Sequence, residues 1–281
     1  MKKLLIITNS YKDRDLVVTG EIIKYGREKG MECSYVLTDV GEDIVIPDDY
    51  KDCDAILVLG GDGTFIHTAK QAVGHNIPVL GVNLGTLGYL CELEAGDIKN
   101  AIDQIAEGQF SIEPRMMLSG QIMCQDKTTS DIAINDVVIH RGGDLRVLNF
   151  IIYVNGEHLY TYTADGIIIS TPMGSTGYSM SAGGPVVEPA ANLIVVTPIN
   201  PHIFNGRSII LSPKDQVEIV IGEGRRKEKE EALVTFDGGE PVHVYSNDRI
   251  VVTKAEGTAE IMRLNKKSFL KILSKKMQRY T

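Results

Sequence analysis

The sequence predicts an α/β + β protein. It reads as an N-terminal α/β domain with a mostly parallel sheet over residues 1–112, a β-rich domain over 113–255, and a C-terminal helical tail, 256–281, returning to pack on the N-terminal domain. Three observations carry this. As far as about residue 110, apolar runs of strand length alternate with stretches of helical period, the pattern of a sheet built by crossovers. From Glu113-Pro114-Arg115 onward the helical period nearly vanishes, and short β-branched runs separated by turn residues replace it. The last stretch, 266–280, is basic and amphipathic, with Phe269, Leu270, Ile272, Leu273 and Met277 as its apolar positions.

Taken in order, residues 3–9 form a first strand. Residues 13–29 carry Leu16, Val17, Ile22, Ile23 and Tyr25 near helical spacing, and Gly30 supplies the stop. Residues 33–37 and 54–59 are the second and third strands, and 78–83 a fourth. Residues 97–107 are an amphipathic helix ended by Gly108. In the second half, 133–140, 147–154, 166–170, 193–197, 216–221, 232–236 and 249–252 read as strands. Asn155-Gly156, 212–215 and Asp237-Gly238-Gly239 are the turns between them. The charged stretch 222–231 reads as an exposed loop or hairpin tip.

Composition narrows the function classes. The chain has 281 residues, 43% of them hydrophobic and 23% charged, a globular balance with enough apolar surface for two cores. No apolar run approaches the roughly 18 residues of a membrane helix, and the start, Met1 to Ile7, is too short in its apolar part for a signal peptide. A cytoplasmic protein with no membrane partner is expected. The net charge of −8 argues against a nucleic-acid binder, while leaving room for a local cradle of amides that takes an anion. Cys33, Cys53, Cys91 and Cys124 show neither close pairing nor zinc-ligand spacing, as suits a reducing compartment.

The chemistry centres on Leu59-Gly60-Gly61-Asp62-Gly63-Thr64, set between the strand 54–59 and an apolar helical stretch that begins at Phe65. A glycine-rich turn from strand to helix lets backbone amides approach a bulky anion, and the helix N-terminus favours negative charge there. Asp62 is the unexpected member, since a carboxylate repels phosphate. It implies phosphate chemistry that needs a base or a metal; a second reading makes it an ordinary helix cap. The other constellation is residues 163–189. A strand, 166–170, enters Gly174-Ser175-Thr176-Gly177-Tyr178-Ser179, which offers hydroxyls, amides and one flat ring, the mixture a nucleoside requires. A structural loop closed by Gly183-Gly184-Pro185 is the second reading of that run.

With both in view, the chain resembles the NAD kinases, which phosphorylate NAD to NADP. The resemblance rests on Gly60-Gly61-Asp62-Gly63-Thr64, on Gly81-Val82-Asn83-Leu84-Gly85-Thr86-Leu87-Gly88-Tyr89-Leu90, on Asn135-Asp136, and on Asp165 through Pro185. It continues through Pro201-His202, Asn205, Arg207-Ser208 and Phe236-Asp237-Gly238, so that it runs over nearly the whole chain. The first motif is shared with phosphofructokinases and lipid kinases; the runs 81–90 and 174–179 are far more specific. Departures are Asp136 where the family usually has Glu, Gly177 where it often has Ala, and the loop Asp237-Gly238-Gly239-Glu240 against the usual Asp-Gly-Gln, so that Glu240 is assigned no contact. His67 stands where relatives carry Arg, Lys or His.

The resemblance implies ATP or polyphosphate as phosphoryl donor, NAD as substrate, Mg²⁺ carried in on ATP with no metal ligands from the chain, and a homo-oligomer, either dimer or tetramer. Asp62 becomes the candidate general base, with the amides around Gly61 and Gly63 holding phosphate. Asn135 and Asp136 would hold the adenosine and its ribose. Thr176, Gly177, Tyr178, Ser179 and Ser181 would line the dinucleotide pocket, with Met180 as a backbone neighbour. Asp165 would accept a hydrogen bond from the ligand. Arg146, Thr163 and His67 match contact positions less closely. Two other functions stay open on sequence alone: a dinucleotide-responsive binding protein without catalysis, which would not require Asp62, and a lipid kinase, whose acyl pocket would be apolar where 174–181 is small and polar.

Overall fold

The computed structural model describes the chain except residues 1–2, 40–43, 86–87, 92, 125–126, 144–145, 203–205, 225–227, 265–268 and 278–281. Thr86, Leu87 and Asn205 of the motifs above lie outside the described residues. In chain order the elements are β1 (Lys3–Asn9), α1 (Val17–Glu28), β2 (Glu32–Thr38), β3 (Ala55–Gly60), α2 (Asp62–Val73), β4 (Val79–Asn83), β5 (Leu93–Glu94), α3 (Ile98–Glu107), β6 (Ser111–Cys124), β7 (Lys127–Ala133), β8 (Asp136–Arg141), β9 (Leu148–Val154), β10 (Glu157–Ala164), β11 (Gly166–Ser170), α4 (Tyr178–Ser181), β12 (Ile194–Ile199), β13 (Ile209–Leu211), β14 (Val217–Ile221), β15 (Glu231–Phe236), β16 (Val242–Tyr245), β17 (Arg249–Arg263) and α5 (Phe269–Met277). The chain divides into two compact units, Met1–Arg115 with Ala259–Thr281, and Met116–Thr258.

The first unit is a parallel sheet in the order β4-β3-β1-β2, with the end of β17 joining β4 through Ile261 and Val79. β3 and β4 are buried at every position, because crossover helices cover both faces of a parallel sheet and leave no wet side to alternate with. Leu4, Ile6, Leu57, Leu59, Leu80 and Val82 form the core with Ile22 of α1 and Ile98, Ile102 and Ile105 of α3. Gly30 and Gly108 both adopt left-handed φ, 78° and 73°, and end their helices as the sequence predicts. The expected helix over 13–29 begins only at Val17. Asp13 lies upstream, and its carboxylate accepts the amides of Val18 and Thr19 and the Thr19 hydroxyl.

The second unit packs two antiparallel sheets around one core, β10-β9-β14-β17 on one side and β13-β12-β11-β8-β15-β16 on the other. Phe150, Ile152, Ile219 and Ile250 of the first meet Ile167, Ile169, Val196 and Phe236 of the second. β14 and β15 alternate buried and half-buried positions, the mark of strands with one face on the core. Several features depart from expectation. β6 and β7, which pair antiparallel from Leu118 with Ala133 to Cys124 with Lys127, the edge strand β10 and the short strands β5, β13 and β16 are not among the expected strands. The strand expected over 133–140 is interrupted: Ala133 ends β7, and β8 starts only at Asp136. The tail expected to be helical from 256 begins as strand, since β17 runs to Arg263; of the helix expected over 266–280, Phe269–Met277 is helical and 266–268 and 278–280 lie outside the described residues.

Candidate functional site

In the first unit, β3 runs into Gly61 and α2 starts at Asp62. Buried β3 fixes the turn, and Leu84 N–H donates to the Gly60 carbonyl at 3.1 Å, tying the turn to the segment after β4. Asp62 occupies the first turn of α2, but it does not cap the helix. Its Oδ2 accepts Tyr89 N–H at 2.8 Å and its Oδ1 accepts Leu90 N–H at 3.2 Å. Two consecutive amides from the 81–90 motif thus fix the plane of the carboxylate, and each oxygen keeps a lone pair for another proton donor.

Gly88 shows why the motif needs its glycine. A methyl group there would overlap the Asp62 carboxylate. Gly88→Ala is therefore expected to push Asp62 out of register and to lower kcat about 100-fold, the scale of a roughly 1 Å misplacement of a catalytic group. Gly20→Ala, with open space at its Cβ in α1, is the control and should leave kcat unchanged in steady-state assays. His67 is half-buried one turn along α2. Cys91 lies beside the site; burial, then the nearby Asp62 charge, push its thiol up to about 12, so it is inert as a nucleophile.

In the second unit the sequence-predicted residues divide into three groups. Asn135, Asp136 and Gly177 come together. Asp237, in left-handed backbone (φ 53°) at the end of β15, accepts N–H from Ile134 (2.7 Å), Asn135 (2.7 Å) and Asp136 (3.1 Å). This clamp breaks the strand expected over 133–140. Asp136 is buried at 7% exposure, and burial, with the Asp237 charge second, pushes its carboxyl up to about 7. The Asn135 side-chain carbonyl is buried without a partner. Thr171 returns two bonds to this loop: its hydroxyl donates to Ile134 O and its amide to Asn135 O. A methyl on Gly174 would strike the Asn135 carbonyl, whereas one on Gly177 would sit 3.7 Å from Asn135 Nδ2 and 4.0 Å from Asp136 Oδ2.

The second group is α4 and the turn before it. The Tyr178 ring is exposed, Met180 half-buried and Ser181 exposed. Two hydroxyls of this run hydrogen-bond within the fold. Ser179 is fully buried and shares a hydrogen bond of 3.0 Å with Thr197, which bonds Ser208 in turn. Thr176 is buried and donates to Met173 O at 3.4 Å. These side chains complete a buried polar chain because backbone at this depth leaves no water to serve them.

The third group is Arg146, Thr163 and Asp165. Arg146 and Thr163 border a cavity of about 690 Å³ with Asn149, His202, Glu223 and Glu230. Arg146 pairs with Glu228 at 3.2 Å, and Thr163 donates to Asn149 at 2.7 Å. Asp165 accepts from Asn200 at 3.0 Å and pairs with Arg141 at 2.9 Å; the Asn200 bond foremost, then the Arg141 charge, hold its carboxyl below the ordinary range. Sequence reasoning missed the Asp237 clamp, although the turn Asp237-Gly238-Gly239 was visible, and Lys12, the cation that follows β1.

A glycine-rich turn into a helix holding an oriented carboxylate, and a β-rich unit with a buried acid–amide pair beside a glycine, are the parts of a phosphotransferase acting on a nucleotide. Comparison with known proteins makes this specific. Residues 23–110 match the family model of the ATP-NAD kinase N-terminal domain, and residues 134–264 that of the ATP-NAD kinase C-terminal domain. The NAD kinase of Agathobacter rectalis is 44% identical over 285 residues, covering 100% of both chains. That of Lachnoclostridium phytofermentans is 43% identical, covering 98% of this chain and 99% of its own. Among solved structures, yeast NADH kinase complexed with NADH superposes with a TM-score of 0.84 at 23% identity, over 99% of this chain and 88% of that one. The Archaeoglobus fulgidus NAD kinase in complex with ATP gives 0.75 at 21%, over 98% of each. The chain belongs to the NAD kinase family, whose members phosphorylate NAD to NADP.

Proposed function

We propose that this chain transfers the terminal phosphoryl group of ATP, or of polyphosphate, to the 2′-hydroxyl of the adenosine ribose of NAD, with Asp62 as general base. The observation that carries the base assignment is the amide pair on Asp62. A carboxylate aimed by Tyr89 and Leu90 N–H, with a lone pair left on each oxygen, is oriented to take a proton. As the ribose oxygen forms its bond to the terminal phosphorus, its proton passes to Asp62, and the bond to the bridging oxygen breaks to release ADP or the shortened polyphosphate. The amides at Gly61 and Gly63 at the α2 N-terminus hold the phosphates. Asn135 and Asp136 hold the adenosine ribose. Family members solved with NADH and with ATP support this substrate pair.

Mg²⁺ bound to the ATP phosphates neutralises their charge. Among the described residues no three His, Cys, Asp or Glu side chains cluster as a metal cage. Cytoplasmic location and a homo-oligomer, dimer or tetramer, complete the reading. Four unpaired cysteines support the first, and among the described residues no helix is long and apolar enough to cross a membrane. The test is a labelled phosphoryl-donor assay offering NAD, diacylglycerol and sphingosine in turn with ATP-Mg²⁺. NADP formation with no lipid product is expected. Lipid product, or tight NAD binding without turnover on ATP or polyphosphate, would overturn the reading.

A further inference from the structure

Lys12 stretches its ammonium over the glycine-rich turn. A methyl group on Gly61 would lie 2.7 Å from Lys12 Nζ, and one on Gly85 would lie 3.2 Å from it. The two glycines belong to different turns, the first opening α2 and the second following β4. The ammonium therefore sits where the turns meet, in space that exists because neither carries a side chain. The side chain is exposed, yet its root is fixed. Lys12 N–H and Asp13 N–H both donate to Asn9 O at 3.1 Å, the Asn9 side chain accepts Tyr11 N–H and reaches Thr64 Oγ1 at 3.4 Å, and Asp13 anchors the start of α1.

A helix N-terminus carries partial positive charge and repels a cation. Among the described residues no carboxylate lies within ion-pair distance of Lys12. Asp62, the acid of the turn, accepts the amides of Tyr89 and Leu90 and is not an ion-pair partner of Lys12. Unneutralised positive charge, helix-end amides and a floor of glycine describe a seat for a polyanion.

We propose that Lys12 is a catalytic residue that binds the phosphates of the phosphoryl donor and neutralises charge on the group in transfer. This rests on the kinase reading above. The amides of the α2 N-terminus are fixed donors for the phosphates. An ammonium at its edge follows the charge that shifts as the bridging bond breaks, and acts most strongly there.

The test pairs turnover with a binding measurement that needs no turnover. Wild type, Lys12→Met and Lys12→Arg are titrated calorimetrically with ATP-Mg²⁺ and with inorganic tripolyphosphate, and NADP formation is assayed with ATP and polyphosphate separately. Lys12→Met is expected to weaken binding of both polyanions roughly 10–100-fold, the loss of one charge-assisted contact. It should also lower kcat about 10²–10³-fold, with KM for NAD and Tm unchanged; Lys12→Arg should restore most of both. Unaltered polyanion binding and kcat in Lys12→Met would overturn the proposal while leaving the kinase reading intact, as would a defect confined to KM for NAD. Polyanion binding that depends on Lys12 in a protein that makes no NADP would sink the kinase reading and keep the anion site.

Discussion

Replacing Asp62 by Asn is expected to lower kcat roughly 10²–10⁴-fold, the usual worth of a positioned general base, while NAD still binds. The structure supplies a competing account that the experiment must separate. Asp62 is also a latch, because its two oxygens hold the amides of Tyr89 and Leu90. Asn keeps one acceptor and turns an NH₂ toward the other amide, so about 1–3 kcal/mol of stability is lost with that unsatisfied donor. If the latch were the whole role, the damage would appear as a lowered Tm and a raised KM, and saturating substrate would recover much of kcat. If the carboxylate takes the proton, kcat collapses at saturation and the KM for NAD stays near that of wild type. Gly88→Ala supplies the cross-check, since it disturbs the carboxylate's position and retains its basicity. Equal kcat in wild type and Asp62→Asn would leave a kinase whose base lies elsewhere.

The parts of this molecule that were legible in the sequence are those whose cause is local. Residues 54–59 read as a buried strand because an internal parallel strand must be apolar on both faces, and β3 is buried throughout. Helix α3 was visible because Ile98, Ala101, Ile102 and Ile105, its buried positions, follow helical spacing. The glycine turn and Asp62 were visible because the residue types are unusual together. What the sequence hid has distant causes. β7, Lys-Thr-Thr-Ser-Asp-Ile-Ala, is exposed along most of its length and carries no apolar alternation to detect; it exists because β6 offers it a partner. The break in the 133–140 strand is imposed by Asp237, 103 positions from Ile134. The hydroxyl of Ser179 looked free for a ligand because nothing nearby in sequence reveals Thr197 beneath it. Lys12 was silent for the same reason, since its neighbours Gly61 and Gly85 are brought to it only by the sheet.

The pair Asp136 and Asp237 carries the other large effect, and its sign follows from burial. The folded Asp136 carboxyl titrates near about 7, against roughly 3.9 in an unfolded chain. Between those values the unfolded state has released a proton that the folded state still holds, so stability falls as pH rises through this window and levels off above it. The slope for one proton, about 1.36 kcal/mol per pH unit, amounts to about 3 kcal/mol between pH 5 and pH 7 as an upper bound. Asp136→Asn removes the titrating group. Its Tm relative to wild type should therefore rise from pH 5 to pH 8, and a difference that is flat with pH would refute the assignment. Asp237→Ala acts in the opposite direction. It strips three backbone amides of their acceptor, two of them on buried residues, and should cost about 3 kcal/mol or more, roughly 6–12 °C in Tm. Binding adds a further constraint. If ribose hydroxyls donate to the ionised form of Asp136, as proposed, KM for NAD should fall as pH rises from 6 to 8 in wild type and lose that dependence in Asp136→Asn. A Glu at this position would place the same charge one methylene further out. Asp136→Glu is thus the variant that shows whether the shorter acid, held by the Asp237 clamp, sets the pH at which this protein takes its dinucleotide.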